Sequence, residues 1–374
     1  MCMPNAFLIP YHHSEQAPFA YRADGGRLSC IMQGSGDSRD LLIWVSAPTG
    51  IGAFGPECLS LFHWRVKPSD VAAEAKKTYI PYIESKLGGQ WPAHSYLVPE
   101  STRMCCEPPS QPSRCRMTAI EGDPVDVALE LAITIDKPDG VALVNMANDK
   151  RPGGDWEAGV LAPEECICRR SNLVATLKRP AANNNLNPAN YPIPTTGGIY
   201  SPYVVIFRSG PDRYQLWQKF KTLPVISVPP VRRPKLDPTG LKYSFEQEKE
   251  LMREKMRTVL RMAVWWGYSD LALGAFGCGP IFRNPTREVA TMWRDLLYFD
   301  SEFRGHFSNV VFAFDPLDGT NPNPSPDKSS KKDASSKVSG SSSKGKVKAK
   351  AASTHLEDME IFKDVFDPAK MFPR

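Results

Sequence analysis

The chain has 374 residues, of which 41% are hydrophobic and 23% charged, with 35 Pro and 26 Gly. This length and composition fit one large or two small folded domains, and they exclude a coiled coil or a chain that is disordered throughout. The formal net charge is +5, but eight Lys and two Asp give residues 320–353 a charge of +6, which leaves −1 for the rest. We therefore expect no direct nucleic-acid groove in the folded part.

Three further observations concern location. No apolar run of about 18 residues is present, so we expect no contact with the membrane interior. The N-terminal residues MCMPNAFLIPYHHSEQ lack a basic segment followed by an apolar one, which predicts no secretory signal. Nine Cys without a regular framework favour reduced thiols. Together these features predict a cytoplasmic or nuclear protein, or one present in both compartments.

In chain order, residues 1–68 mix Gly-rich turns with short apolar pieces and are predicted to form a poorly defined N-terminal extension. Residues 69–318 alternate between two patterns. Five short runs rich in Val, Ile or Phe are typical of buried strands: VALVN at 141–145, YVVIF at 203–207, PVISV at 224–228, LALGA at 271–275 and VVFAF at 310–314.

Helical periodicity occurs between these runs. Helices are predicted at 69–86, from Glu164 onward, around Met252–Val264, and after Asn284-Pro285, where Asn284 suits the N-cap and Pro285 the first helical position. Uninterrupted apolar strands separated by helices predict an α/β domain with a mostly parallel sheet covered on both faces.

The C-terminal part has a different composition. Residues 319–353 are rich in Ser and Lys and poor in apolar residues, which predicts a disordered linker. A solvated linker is the favoured role, although its basic charge would also suit acidic partners. Residues 354–374 form a short final segment, in which LEDMEIFKDVF at 356–366 predicts an amphipathic helix that docks back or meets a partner.

Two polar, Gly-containing loops follow buried strands and are the candidate sites. The first, within 145–170, leads into a helix that begins with Glu164 and Glu165; the second spans 273–282. Glycines and helix N-termini present amide N–H groups to phosphate. The motifs of P-loop nucleotidases, G-x-S-x-G hydrolases and H-E-x-x-H metalloproteases do not occur.

Simpler explanations remain open on the residues alone. Paired carboxylates in a first turn also suit the helix dipole, and Asn148 would serve equally well to cap a turn. Cys278 is better explained as a small buried thiol than as a nucleophile. A zinc site from Cys105, Cys106 and Cys115 has an unusual spacing, so we expect no metal and no cofactor.

The combination of motifs is more specific than its parts. Gly153-Gly154-Asp155 is followed by seven residues, 156–162, and then by Pro163-Glu164-Glu165. This resembles the microbial-type poly(ADP-ribose) glycohydrolase family, whose fold is a macrodomain and whose signature is three glycines, a short spacer and Gln-Glu-Glu. Asp155 stands where the third glycine is expected, Pro163 where the Gln is expected, and the turn at 279–282 is one residue longer than usual.

Further segments that resemble the family follow in chain order over residues 69–318. They are AAEAKKTYIPYIE at 72–84, ALVNMAN at 142–148, YSPYVVIFR at 200–208, ISVPP at 226–230, the stretch 255–282 and NPTREVATMW at 284–293. The resemblance implies a three-layer α/β/α macrodomain-like fold and a hydrolase that cleaves the glycosidic bond of poly- or mono-ADP-ribose.

The resemblance also implies site residues. Glu165 would be the acid/base, and Glu164 would hold the distal ribose. Contacts to ribose, diphosphate and adenosine would come from Asn145, Asn148, Gly153, Gly154, Asp155, Gly274, Ala275, Phe276, Gly277, Cys278, Gly279 and Phe282. The expected partner is ADP-ribose or an ADP-ribosylated protein.

Three other functions remain open. The same loops would suit a non-catalytic ADP-ribose reader, or a hydrolase acting on a free ADP-ribose derivative. The third is an interaction protein whose active part is the basic tail, and this alternative predicts no nucleotide binding by residues 69–318.

Overall fold

The computed structural model describes residues 66–104, 106–182, 189–317 and 355–372, together with the backbone of three short N-terminal strands. The chain divides into two compact units, Met1–Trp64 and Arg65–Arg374. In the first unit, strand β2 (Arg27–Ile31) pairs antiparallel with β1 (Ala20–Asp24) and with β3 (Ile43–Val45). The predicted disordered linker, 319–353, lies outside the described residues, as does Cys105.

A seven-stranded sheet forms the centre of the second unit. Its strands are β4 (Tyr96–Val98), β5 (Arg116–Glu121), β6 (Val141–Met146), β7 (Gly198–Arg208), β8 (Leu216–Val228), β9 (Asp270–Gly274) and β10 (Asn309–Phe314). They lie in the order β4-β7-β8-β6-β9-β10-β5. The five strands from β8 to β5 are parallel, whereas β7 is antiparallel to both β8 and β4. The predicted mostly parallel α/β fold is confirmed, and all five predicted runs overlap strands of this sheet.

Helices cover both faces of the sheet. They are α1 (Pro68–Glu74), α2 (Ile80–Tyr82), α3 (Pro124–Thr134), α4 (Pro163–Arg170), α5 (Leu173–Lys178), α6 (Glu246–Trp265), α7 (Gly279–Phe282), α8 (Thr286–Tyr298), α9 (His355–Val365) and α10 (Pro368–Met371). One π-helical turn, Ala75–Tyr79, joins α1 to α2, and a second, Ile83–Leu87, follows α2. Together these elements form the helical stretch predicted at 69–86. Within the described residues, no helix combines the length and the hydropathy needed to cross a bilayer.

The start of α8 differs from the prediction by one residue. Pro285 occupies the N-cap position with extended backbone, and Thr286 is the first helical residue. The Asn284 side chain is used elsewhere, because its Nδ2 donates to the carbonyl oxygens of Val231 and Gly277, both at 2.7 Å. Asn284 therefore fixes the turn after β9 and does not cap the helix.

Alternate residues of the central strands enter two separate apolar layers. In β10, Val310, Phe312 and Phe314 belong to the layer that also contains α6, α8 and α9. Val311 and Ala313 face the opposite layer, with α3, α4 and α5. Because successive strand residues point to opposite faces, a strand buried on both sides reads as an uninterrupted apolar run. Because β6, β9 and β10 are neighbouring parallel strands, their carboxyl ends lie side by side, at the edge where the candidate loops begin.

Candidate active site

The site begins at the end of β6, where a polar residue follows four buried apolar ones. Asn145 is fully buried. Its Nδ2 donates to Ser227 Oγ at 3.1 Å and to Glu164 Oε1 at 3.4 Å. Since Ser227 lies on the neighbouring strand β8, this amide links two strand ends to the first turn of α4. Asn145 thus positions Glu164 from within the protein.

Glu164 holds the first loop together. Its Oε2 accepts from the Asn148 N–H at 2.7 Å, and its Oε1 accepts from the Gly153 N–H at 3.3 Å. Only 3% of the residue is exposed. Burial, followed by the nearby charge of Glu165, raises the pKa of Glu164 to about 8 against these hydrogen bonds. The Glu164 side chain is therefore mostly protonated at neutral pH and acts as an internal support of the loop.

Glu165, the next residue, is half-buried and faces the glycine turn. Its Oε1 accepts from the Asp155 N–H at 3.0 Å. Gly154 has φ 54°, and a Cβ built there would lie 2.5 Å from Glu165 Oε1. Only glycine leaves room for the carboxylate in this conformation. The second carboxylate of the pair is thus the one that remains reachable beside the loop.

The amide groups of the glycine turn already have protein acceptors. Besides the two bonds to the glutamates, the Gly154 N–H donates to the Arg151 carbonyl oxygen at 3.3 Å. In the structure, therefore, the N–H groups of Gly153 and Asp155 hold the two glutamate side chains in place, and the Gly154 N–H closes the turn. The predicted contact of Gly153 and Gly154 with a diphosphate stays a prediction, and it requires these amides to exchange partners.

Asp155 and Asn148 have local partners. The Asp155 carboxylate forms an ion pair with Arg151, and both side chains are 58% exposed. Asp155 therefore points toward solvent, with its charge balanced by Arg151. Asn148 Oδ1 accepts from the backbone N–H groups of Lys150 at 2.9 Å and Arg151 at 3.1 Å, so this side chain caps a turn, as the simpler explanation of the sequence holds.

The second loop touches the first through the end of β6. The Gly277 N–H donates to Met146 Sδ at 3.4 Å. Gly277 has φ 82°, and a Cβ there would overlap the Met252 side chain. The structure thus brings the two predicted loops together, as expected for loops at the carboxyl ends of neighbouring parallel strands.

Some predicted residues of the second loop are placed differently. Phe276 is fully buried and packs edge-on against Trp293, with ring centroids 5.7 Å apart. Phe282 and Cys278 belong to the same apolar layer and are 9% and 2% exposed. None of these three residues lines the cavity that adjoins the two loops. Their predicted substrate contacts are untested, and the positions observed are those of core side chains.

A cavity of about 290 Å³ adjoins the loops. Elements from across the chain line it: Asp123, Pro124, Val144, Met146, Ala162, Pro163, Cys166, Ile167, Gly274, Ala275, Gly279, Pro280, Ala313, Phe314, Asp315, Pro316, His355 and Asp358. Of the predicted residues, Gly274, Ala275 and Gly279 are among them. The walls are mostly apolar, and their ionisable oxygens are carboxylates, which suits an uncharged group that donates hydrogen bonds better than a phosphate.

The cavity carboxylates have perturbed pKa values. Burial raises the pKa of Asp315 to about 6, and it also raises the pKa of Asp123, against the nearby charge of Arg170. Arg170 is fully buried and donates to Asp123 Oδ1 at 2.7 Å and to Asp126 Oδ1 at 2.6 Å. This buried guanidinium fixes the floor of the cavity.

Sequence reasoning missed several of these residues. Asp123 has a local signal, since an Asp-Pro pair before an apolar run is typical of a helix N-cap, and Asp123 accepts from the N–H groups of Val125 and Asp126. Lys255 of α6 is buried, and burial lowers its pKa to about 8 against the nearby charge of Asp149. Nothing in the local sequence places it near the first loop.

The cysteines and the possible metal ligands determine whether the described residues hold disulfides or metal sites. Cys106, Cys115, Cys166, Cys168 and Cys278 form no disulfide. Over the described ranges, no group of three or more His, Cys, Asp or Glu side chains is arranged to hold a metal ion.

Residues 72–209 match the family model described as "Microbial-type PARG, catalytic domain". The crystal structure of poly(ADP-ribose) glycohydrolase from Thermomonospora curvata is 25% identical, with a TM-score of 0.51 over 66% of this chain and 93% of that chain. The same enzyme bound to the inhibitor ADP-HPD matches at 25% identity and a TM-score of 0.50, over 66% and 92%.

A third structure, poly(ADP-ribose) glycohydrolase from Deinococcus radiodurans in complex with ADP-ribose, is 27% identical with a TM-score of 0.45, over 63% of this chain and 90% of that chain. No curated protein sequence matches. The matched residues include both glutamates, the glycine turn and the end of β6. The region of this chain that holds the glycine turn and both glutamates is thus similar to the microbial-type PARG catalytic domain.

Proposed function

We propose that this chain is an ADP-ribose glycohydrolase that cleaves the bond between the anomeric carbon of a ribose and an oxygen, in poly- or mono-ADP-ribose, with Glu165 as acid/base. The observation that carries the proposal is the Glu165 carboxylate, half-buried at the start of α4 and held by the Asp155 N–H at 3.0 Å. The family match and the likeness to the Thermomonospora enzyme, which is named for this activity, support it.

The reaction requires one carboxyl group that first donates and then accepts a proton. Cleavage of a glycosidic bond passes through an oxocarbenium-like state. Protonated Glu165 would donate to the leaving oxygen, and the resulting carboxylate would accept a proton from the attacking water. Such acid/base help contributes roughly 10²–10⁴-fold to the rate. Glu164 does not fit this role, because its oxygens are buried and bound to the Asn148 and Gly153 N–H groups.

The rest of the substrate would lie along the two loops. The apolar cavity with carboxylates at its wall suits the adenosine half, whose amino group donates hydrogen bonds. The diphosphate would then lie between this cavity and Glu165, against the turn at 274–279. Among the described residues, the acceptor of the Gly277 N–H in this turn is a thioether sulfur, a weak partner that a phosphate oxygen would replace.

The decisive test separates binding from chemistry. Glu165→Gln keeps the size and the hydrogen-bond acceptor but removes the titrating proton. We expect ADP-ribose binding, measured by calorimetry, to stay within about threefold, and release of ADP-ribose from polymer and from mono-modified protein to fall at least about 100-fold. Glu157→Gln is the matched control, because Glu157 lies in the same loop, is exposed and pairs with Lys76.

Two results would contradict the proposal. Near-normal turnover by Glu165→Gln would remove Glu165 as the acid/base. A wild-type chain that binds ADP-ribose but releases none from either substrate would be a reader and not a hydrolase.

A further inference from the structure

The C-terminal helix α9 packs firmly on the sheet. Met359, Phe362, Val365 and Phe366 are buried in the apolar layer of α6 and α8. The ring of Phe362 lies 5.1 Å from the Phe312 ring of β10, between centroids. These contacts hold α9 in one position relative to the sheet.

Polar contacts fix the same helix against α8. Thr286 Oγ1 donates to Asp358 Oδ1 at 2.6 Å, and Arg287 forms an ion pair with Asp364 at 2.8 Å. Asp358 is 2% exposed. A buried carboxylate that accepts from a neighbouring helix fixes the orientation of the first turn of α9 more strongly than an exposed pair would.

This first turn lies at the candidate cavity. His355 and Asp358 line it together with Asp315 and Pro316, which follow β10. The described chain thus leaves the sheet at this cavity and, after residues 318–354, returns to the same cavity at His355. The helix closes one side of a space whose other walls come from the two loops and from α3.

His355 has an unused polar atom there. Its Nε2 is enclosed and has no hydrogen-bond partner among the residues that the structure describes. A buried polar atom without a partner is unfavourable, and a bound molecule that supplies a partner removes this cost. The same cavity is also lined by the apolar residues Pro124 and Phe314, and an imidazole among apolar groups is a setting that fits a planar base.

We infer that α9 is a wall of the ligand site and that His355 contacts the adenine-bearing half of ADP-ribose. This inference rests on the proposed function, since it names the ligand of the same site. It assigns a binding role to a segment outside residues 72–209, which the family model covers. His355 is a binding residue in this proposal and takes no part in proton transfer.

The experiment uses the full chain and compares His355→Ala with Leu356→Ala. Leu356 is the next residue of the helix, is 45% exposed and does not line the cavity. We expect His355→Ala to weaken ADP-ribose binding about tenfold by calorimetry, as for the loss of one hydrogen bond with some packing. We expect Leu356→Ala to bind as the wild type does.

Hydrogen exchange gives a second reading that needs no substitution. Addition of ADP-ribose to the wild-type chain is expected to slow exchange in the 355–366 peptide, because the ligand would contact the first turn. The first half of β8, residues 216–222, does not line the cavity and is the internal control. If His355→Ala folds poorly, this measurement alone decides.

The outcomes are distinguishable. If the wild type binds ADP-ribose and His355→Ala binds it equally well, the role of α9 is wrong and the proposed function stands. The same holds if ADP-ribose binds the wild type without slowing hydrogen exchange in residues 355–366. A wild-type chain that binds no ADP-ribose overturns both.

Discussion

Glu164 makes the stability of this protein depend on pH in a direction opposite to that of an ordinary salt-bridged carboxylate. In the folded chain its pKa is raised to about 8 by burial, whereas in the unfolded chain it returns to about 4.5. Below the lower value, both states hold the proton. Between the two values, only the folded state holds it, so the free energy of unfolding falls as the pH rises. Above the higher value, the dependence ends.

The size of the effect follows from the two pKa values. They differ by about 3.5 pH units, and each unit corresponds to about 1.36 kcal/mol, so the full loss is on the order of 5 kcal/mol. Between pH 5 and pH 7, both inside this window, Glu164 alone should lower the free energy of unfolding by a few kcal/mol, on the order of 3.

Glu164→Gln removes this titration. The side-chain amide turns its NH₂ toward one backbone N–H that Glu164 accepts from, which costs about 1–3 kcal/mol at every pH, so the diagnostic quantity is the pH dependence. Urea denaturation at pH 5, 6 and 7 compares the wild type with Glu164→Gln. As the pH rises, the free energy of unfolding of the wild type should fall relative to that of the variant, by on the order of 3 kcal/mol over this range.

Asp155→Asn is the matched control. It removes a carboxylate from the same loop, but that side chain is 58% exposed and paired with Arg151, so the pH dependence of the wild type should persist. If Glu164→Gln kept the wild-type pH dependence instead, Glu164 would not be a buried acid that holds its proton at neutral pH, and its role as internal support would be wrong.

Two further substitutions test the glycine turn and the cavity floor. Gly154→Ala places a methyl group within 2.5 Å of Glu165 Oε1 at φ 54°; we expect turnover to fall at least about tenfold with the circular dichroism spectrum retained, and unchanged steady-state rates would contradict the close fit. Arg170→Met leaves the carboxylates of Asp123 and Asp126 without their buried partner, so urea denaturation should show a loss of about 3 kcal/mol, and a loss below about 1 kcal/mol would indicate that solvent screens both charges.

Local sequence carried much of the fold. The strands β6, β9 and β10 are short apolar runs because both of their faces are buried, and such runs stand out in any sequence. The edge strands β4 and β5 were not predicted, since β4 is only three residues long and the exposed residues of β5 interrupt its apolar pattern. Helix α3 was missed for a similar reason: its apolar residues sit between strands without a distinct period, and its N-cap is a single Asp.

The first loop was the most readable part of the site. Glycines, paired glutamates and a strand-end Asn lie within 26 residues, 145–170, so chain connectivity alone keeps them near one another. The sequence therefore identified Glu164 and Glu165 together. It did not separate their environments, because the Glu164 carboxyl is enclosed by the loop amides and by Asn145, which in turn bonds Ser227 on the neighbouring strand.

The amino-acid pattern by itself determined the α/β class and the residues of the glycine turn, since each of these is encoded in periodicity or in close spacing along the chain, and it carried the resemblance to the microbial-type PARG family. Only the tertiary structure decided which glutamate is enclosed and which is reachable, that Asp155 turns outward to Arg151, and that His355 and Asp315 line one cavity. Those outcomes depend on contacts between residues far apart in the chain, where burial and charge are set by neighbours that no local pattern specifies.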